Sequence, residues 1–533
     1  MKAAGWPARG TGPAVLHPYL LAAWPVLLLL AANAGEARAS DAMAALLVIV
    51  AGATALVALL TVLLRDVRRA GLVTSVLAVT LLTYGHVGNL TGEPPWLLPA
   101  WLGAATAAVV AAVRTGTRLD GATRVANRLG GALVALSLIS IASVAISGQL
   151  SAADAGDGGA GSAGTASEIE PTPAQSLSWR AGGPPRDVYY VVFDRYGSAA
   201  SLEALFGLDN QPFMDELTDR GFTVLPDARA NHLRTAQSLA SSLRMDYLLD
   251  LRAEHGPNTG DLGPVHALLQ DHRVGRLFQS AGYRYVHVGS WWDPTATNTL
   301  ADEVLGYEGP DNRGGGSDFT EVLLDTSLLG ALPEDAAVGP NLRLQHREAA
   351  MVQLDQLPRV AQDPRPTFTF AHVLLPHEPY VFDAEGRPVT SAEAKARTLQ
   401  ENFAGQLAYT NDRIAGLVEE LLAGPDEQDP IILLQADEGP HPPRSNQPGS
   451  GFTWPGATDE ELVGKLGILS AWYVPEGLHV PVSQAETPVN SFRVLFNALY
   501  GGTFEVLPER SYIFRDTAHL YDFTDVTERL GTG

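Results

Sequence analysis

The apolar residues of this 533-residue chain are crowded into its first 150 positions, and that crowding limits its fold more than any other feature. Five hydrophobic stretches stand at roughly 14–33, 43–64, 71–88, 96–113 and 129–149. Each approaches the ~20 residues an α-helix needs to cross a bilayer. A cleaved signal peptide would account for the first stretch but not for the four that follow. The chain carries a formal charge of −23 although its mean hydropathy is slightly positive. Both properties fit one chain only if the apolar and the acidic residues belong to different domains. The acidic balance also argues against nucleic acid as a partner, since phosphate backbones call for basic patches.

The loops predict an orientation. Lys2 and Arg9 precede the first stretch. Arg65, Arg68 and Arg69 separate the second from the third, and Arg114, Arg118, Arg124 and Arg128 the fourth from the fifth. The segments 34–42 and 89–95 hold acids against Arg38 alone. Basic loops face the cytoplasm, so five spans place everything after residue 150 on the outer side of a multi-pass cell-membrane protein. The predicted domains are a transmembrane domain over 1–149, a flexible Gly/Ala/Ser/Pro linker over 150–185 and an extracytoplasmic domain over 186–533.

From residue 187 onward short β-rich runs alternate with helical patterns. Strands are predicted over 187–193, 221–226, 283–289, 367–375, 431–435 and 467–474, and helices over 198–206, 211–220, 263–280, 391–423 and 488–499. This alternation reads as an α/β domain with a mostly parallel central sheet, which gathers ligands at the C-terminal ends of its strands. Three runs end in metal-ligating types: "DVYYVVFDRYG" in Asp194, "TFTFAHVLLPHEPY" in His377, and "IILLQADEGPH" in Asp437, Glu438 and His441. One such ending is an ordinary solvated turn, whereas three suggest a metal centre. His372, inside its run, reads as a satisfied core histidine. His232, His287 and His441 read as second-layer or phosphate-holding groups. The two tryptophans of "HVGSWWDPT" (287–295) read either as core packing or as a wall for a sugar or lipid headgroup. The chain has no cysteine, which excludes disulfides, thiolate ligands and a cysteine-derived formylglycine.

The segment from "DVYYVVFDRYG" to "NHLRTAQSLASSLRMDYL", with "VNSFRVLFNALYGG" at 489–502, resembles the sulfatase-like branch of the alkaline phosphatase superfamily. Within it, the architecture is similar to that of lipoteichoic acid synthases and phosphoethanolamine transferases. The resemblance implies an alkaline phosphatase-like mixed sheet flanked by helices, following an all-α five-helix membrane domain. It also implies a metal-binding Asp194, a nucleophilic and metal-touching Thr235, further ligands at Asp437 and Glu438, and substrate contacts from His377. Ser238 is the alternative nucleophile. The family more often has His where Glu438 stands, so His441 is an alternative source of an imidazole, and loss of the site is a third possibility. A carboxylate there favours one Mn or Mg ion, with Ca or Zn possible. The implied activity is transfer or hydrolysis of phosphate-type esters on membrane lipids or on a lipid-linked or glycan substrate. A sulfatase-like hydrolase and a catalytically silent envelope scaffold stand as alternatives.

Overall fold

The computed structural model describes residues 13–33, 39–92, 94–114, 119–157, 177–307, 318–331, 342–362, 365–425, 428–447 and 449–531. The chain divides into two compact units. One is Met1–Ala145 together with Gly316–Gly339, and the other is Ile146–Gly315 with Pro340–Gly533.

The first unit holds α1 (His17–Ala32), α2 (Ala39–Leu64), α3 (Val67–Thr91), α4 (Leu97–Arg114) and the part of α5 (Leu119–Asp157) up to Ala145. The last four are long and apolar enough to cross a membrane. The first, at 16 residues, rises only about 24 Å against a hydrocarbon core of about 30 Å. Five spans were expected; four meet the length and α1 is a shorter apolar companion. Helix α3 starts where the Asp66 side chain accepts from the backbone N–H groups of Arg68 and Arg69, satisfying donors the helix cannot. Half of its span is buried, against 11% in α2, α4 and α5, so it forms the middle of the bundle. A segment from far along the chain completes this unit. Helix Asp318–Asp325 packs Phe319 and Leu323 against Val26, Leu29 and Ala42, and the Gly85 N–H donates to the Thr326 carbonyl at 2.9 Å. Glycine is required at 85, because a Cβ there would lie 2.5 Å from the Asp325 carbonyl oxygen.

The second unit is a mixed sheet flanked by helices. Its strands are β1 (Val188–Phe193), β2 (Phe222–Val224), β3 (Arg284–Gly289), β4 (Glu303–Gly306), β5 (Thr367–Val373), β6 (Ile431–Ala436) and β7 (Ser470–Tyr473). They lie in the order β2-β7-β6-β1-β5-β3-β4. The five from β6 to β4 run parallel, and β7 runs antiparallel to both β6 and β2. Strands β1, β5 and β6 are buried along their whole length, as near-continuous apolar runs covered on both faces must be. The predicted helix over 263–280 is two helices, because His272 caps the second by accepting from the Gly275 N–H. The one over 391–423 likewise breaks at Thr398, whose hydroxyl and Glu401 form a capping box that starts a new helix. Of the expected linker, 158–176 lies outside the described residues. Helix α5 extends to Asp157, and at the other end Leu177 is buried while Arg180 donates its N–H to the Leu499 carbonyl at 2.8 Å.

Candidate metal centre and active site

The register of three neighbouring strands builds the site. Phe193, the last residue of β1, is level with Val373 of β5 and Ala436 of β6. The next residue on β1 is Asp194 and on β6 it is Asp437, so the two carboxylates leave adjacent parallel strands at one edge. His372 stands one residue before the end of β5, level with Val192. Ligand atoms of Asp194, His372 and Asp437 all lie within 4.8 Å of one another, and all three residues are buried. Asp194 and Asp437, expected here from their strand ends, are brought together. His372, expected as a satisfied core residue, joins them: its Nε2 is 3.5 Å from Asp194 Oδ2. The sequence carried a faint sign of this, a histidine near the end of an otherwise apolar strand. Which strands are neighbours was not written there.

Thr235 is the first residue of helix Thr235–Arg244, with Arg234 in the capping position and no side-chain cap. Its hydroxyl lies close enough to the Asp437 carboxylate to favour that carboxylate's charged form. Ser238, one turn on, is fully buried and donates to the Asp437 carbonyl at 2.6 Å. That bond fixes the ligand loop and removes Ser238 as a nucleophile facing substrate. Arg195 has φ of 60°, a left-handed conformation uncommon for a residue with a side chain. It points the Arg195 N–H at Asp437 Oδ1, 3.1 Å away, while the guanidinium reaches Glu378 at 2.5 Å.

A metal ion fits these residues. Asp194 Oδ1, His372 Nε2, Asp437 Oδ2 and Glu438 Oε2 are buried and have no hydrogen-bond partner among the described residues. Three carboxylate oxygens and one imidazole nitrogen left without partners at one strand edge are costly unless a cation collects them. The electrostatics agree. Burial pushes the Asp437 carboxyl up, and the Asp194 and Glu438 carboxylates push it further. Burial also raises Asp194, but His377, His372 and Arg195 outweigh it and hold that carboxyl below the usual range. Two such carboxyls share one site comfortably only with added positive charge.

Glu438, expected as a ligand, is turned elsewhere through one oxygen. Its Oε1 receives the Lys465 ammonium at 2.7 Å and faces Arg195 Nε at 3.4 Å. Lys465 is fully buried and needs a carboxylate partner there; it also donates to the Gly439 carbonyl at 3.0 Å. Residue 465 lies on helix Asp459–Leu466, and nothing in its local sequence announces this role.

His377 and His441 line one cleft together with Arg195, Glu378, Tyr380 and Pro440. His441 lies 5.7 Å from the Trp454 ring. Burial, then the charges of Lys465 and Arg195, hold its imidazole well below its ordinary value, so it is neutral. Arg195 and Glu378 were not singled out in the sequence, although Arg195 directly follows a strand-ending ligand. Trp291 stacks on His346 at 3.8 Å and stands 6.5 Å from the His377 ring, whereas Trp292 packs edge-on against His372. His232 lies between the rings of Tyr512 and Phe523, and His287 bonds the Thr295 carbonyl.

A family model described as Sulfatase matches residues 186–463, more than half of the chain. No curated protein matches it. Among solved structures, the chain is similar to the C-terminal periplasmic domain of EcEptC from Escherichia coli, with 15% identity over 67% of this chain and 97% of that one and a TM-score of 0.44. The zinc complex of that domain gives 14% identity, 66% and 94% coverage and a TM-score of 0.44. The integral membrane lipooligosaccharide phosphoethanolamine transferase A of Neisseria meningitidis gives 12% identity over 91% of this chain and 96% of that one, with a TM-score of 0.38.

Proposed function

The chain belongs to the sulfatase family, and from that premise we propose that it is a membrane-anchored, metal-dependent enzyme acting on phosphate-type esters through Thr235. The observation that carries this reading is the buried cluster of Asp194, His372 and Asp437, with ligand atoms left without partners and the Thr235 hydroxyl beside Asp437. Asp194, Asp437 and His372 would hold one divalent ion, with the Thr235 oxygen beside them and the free oxygen of Glu438 in reserve. The mixed oxygen and nitrogen donor set suits Mn or Zn as well as Mg. Bound there, a divalent ion supplies the positive charge that favours an alkoxide at Thr235 and offsets charge on the ester.

The chain's own residues do the rest. Thr235 Oγ attacks phosphorus as the bond from phosphorus to the leaving oxygen breaks, and the Thr235 proton ends on that oxygen. Arg195, His377 and His441 hold the non-bridging oxygens from the cleft side, and an imidazole hydrogen bond steadies the leaving oxygen. An acceptor hydroxyl or water then displaces Thr235 from the phosphoryl group, and its proton returns to the Thr235 oxygen. Basic loops between the helices support an extracytoplasmic position for this unit. The anchor supports a lipid-linked or glycan substrate of the envelope.

The test uses the full chain in detergent, wild type beside Thr235→Ala, with metal content and turnover of a chromogenic phosphodiester and a chromogenic sulfate ester. The expected result is about one equivalent of divalent metal, phosphodiester turnover, and a loss on the order of a thousandfold or more in the variant. Sulfate release alone would move the reading to an ester sulfatase. Wild-type protein with neither metal nor turnover would leave a silent scaffold.

A further inference from the structure

Behind the candidate metal centre, His372 is held from its other side. Its Nδ1 lies 3.0 Å from the Thr295 hydroxyl oxygen, which lies 2.8 Å from the Ser290 hydroxyl. Ser290 accepts from the Trp292 N–H at 3.1 Å and stands 3.2 Å from the Trp292 carbonyl. Thr295 cannot drift, because its main chain is tied three times. Its N–H donates to the Trp292 carbonyl, and its carbonyl accepts from the Ser290 N–H, each at 3.0 Å. The same carbonyl faces His287 Nε2 at 2.8 Å. Ser290, Thr295, His287 and His372 are all at most 1% exposed, so bulk solvent does not reach these bonds.

Counting protons gives the network a direction. A carbonyl only accepts, so His287 carries its proton on Nε2. His272 Nδ1 accepts from the Gly275 N–H, so its Nε2 donates to the Tyr285 hydroxyl at 3.0 Å. That hydroxyl is left to point its own proton toward His287 Nδ1, 3.5 Å away. This chain pins the Thr295 carbonyl. On the hydroxyl side, the Ser290 proton suits the Trp292 carbonyl, which leaves Ser290 free to accept from Thr295. Thr295 then accepts from His372.

We propose that Thr295 is a positioning residue that sets the tautomer of His372. Nδ1–H donates to Thr295, Thr295 donates to Ser290, and the Nε2 lone pair is left facing Asp194 and Asp437. The opposite tautomer would put a proton on Nε2 and block it as a ligand. This rests on the metal-centre reading above and adds to it which nitrogen binds and what fixes it. Such outer partners of ligating histidines typically govern metal affinity by 10–100-fold.

The experiment titrates Mn²⁺ into the full chain in detergent and follows free Mn²⁺ by electron paramagnetic resonance, for wild type, Thr295→Val and Thr295→Ser. Valine keeps the shape and removes the oxygen, whereas serine keeps the oxygen. Thr295→Val is expected to weaken Mn²⁺ binding about 10–100-fold and Thr295→Ser to stay within about threefold of wild type. A second readout needs no metal. In the ¹⁵N-histidine-labelled chain, the resonance pair missing from His372→Gln should report Nδ1–H in wild type and Thr295→Ser but not in Thr295→Val. Wild-type affinity in Thr295→Val, or equal weakening in both variants, overturns the proposal while leaving the metal centre standing. A wild-type chain that takes up no Mn²⁺ and holds no other divalent metal overturns both. Should Thr295→Val fail to fold, Ser290→Ala removes the acceptor of the Thr295 proton and is expected to weaken Mn²⁺ binding several-fold. No change there counts against the proposal.

Discussion

The two units spend the same kinds of side chain in opposite directions. In the helical unit Leu47, Val48, Val62 and Leu63 stand 66–76% exposed; in the sheet unit Val191, Leu433 and Leu434 are fully buried. A helix satisfies its backbone within itself, so its apolar side chains are free to face lipid. A strand satisfies its backbone through neighbours, and its side chains must then be covered on both faces. Polar atoms follow the same division. The sheet unit gathers buried carboxylates, a lysine and imidazoles at one strand edge, where orphaned acceptors become useful. The contrast teaches that hydropathy reports the surrounding solvent in one unit and the core in the other.

Acid should separate the units most strongly. Burial lowers the imidazoles of His232 and His272 to about 3 and that of His287 to about 4, against an ordinary 6.5. All three lie in the sheet unit. Folded, they stay neutral where the unfolded chain takes up protons, so their stabilising contribution is complete above pH 6.5 and is lost as pH falls. Each of the three contributes at most about 1.36 kcal/mol of loss per pH unit below 6.5. Urea titration of the full chain in detergent from pH 7 to 4.5 checks this, and a flat profile between 7 and 5 would break it. A paired exchange sharpens the contrast. Leu434→Ala should cost about 3 kcal/mol and Val62→Ala no more than about 0.5 kcal/mol, read as midpoint shifts in the same titration; equal losses would mean that both side chains serve a core. A smaller contrast than that of Leu434 against Val62 tests the returning segment. Gly85→Ala should cost about 1–2 kcal/mol by overpacking and speed hydrogen exchange over residues 319–327, with the sheet unit unchanged.

Much of the sheet was legible because β1, β5 and β6 are continuous apolar runs that no solvated loop would carry. Asp194 and Asp437 were legible for the same reason, as acids placed directly after such runs. β4, with Glu303 at its start, is too short and mixed to carry a period. His372 was read as a core residue because its place beside Asp194 depends on β5 lying beside β1, a fact of topology rather than of local pattern. The Glu438–Lys465 pair joins a strand end to a helix 27 positions on, and side chains at that distance leave no mark on each other's local sequence. Phe319 and Leu323 form an ordinary amphipathic face, and nothing in that face tells whether a sheet or a helical bundle will cover it.

The return of residues 316–339 to the helical unit has a consequence in time. Between Ala145 and Gly316 the ribosome adds about 170 residues, so at ~5–20 residues per second the helices wait roughly 9 to 34 seconds for their last piece. Throughout that interval Val26, Leu29 and Ala42 lack the cover that Phe319 and Leu323 later give them. The unit that is made first is therefore finished only when synthesis of the other is well under way.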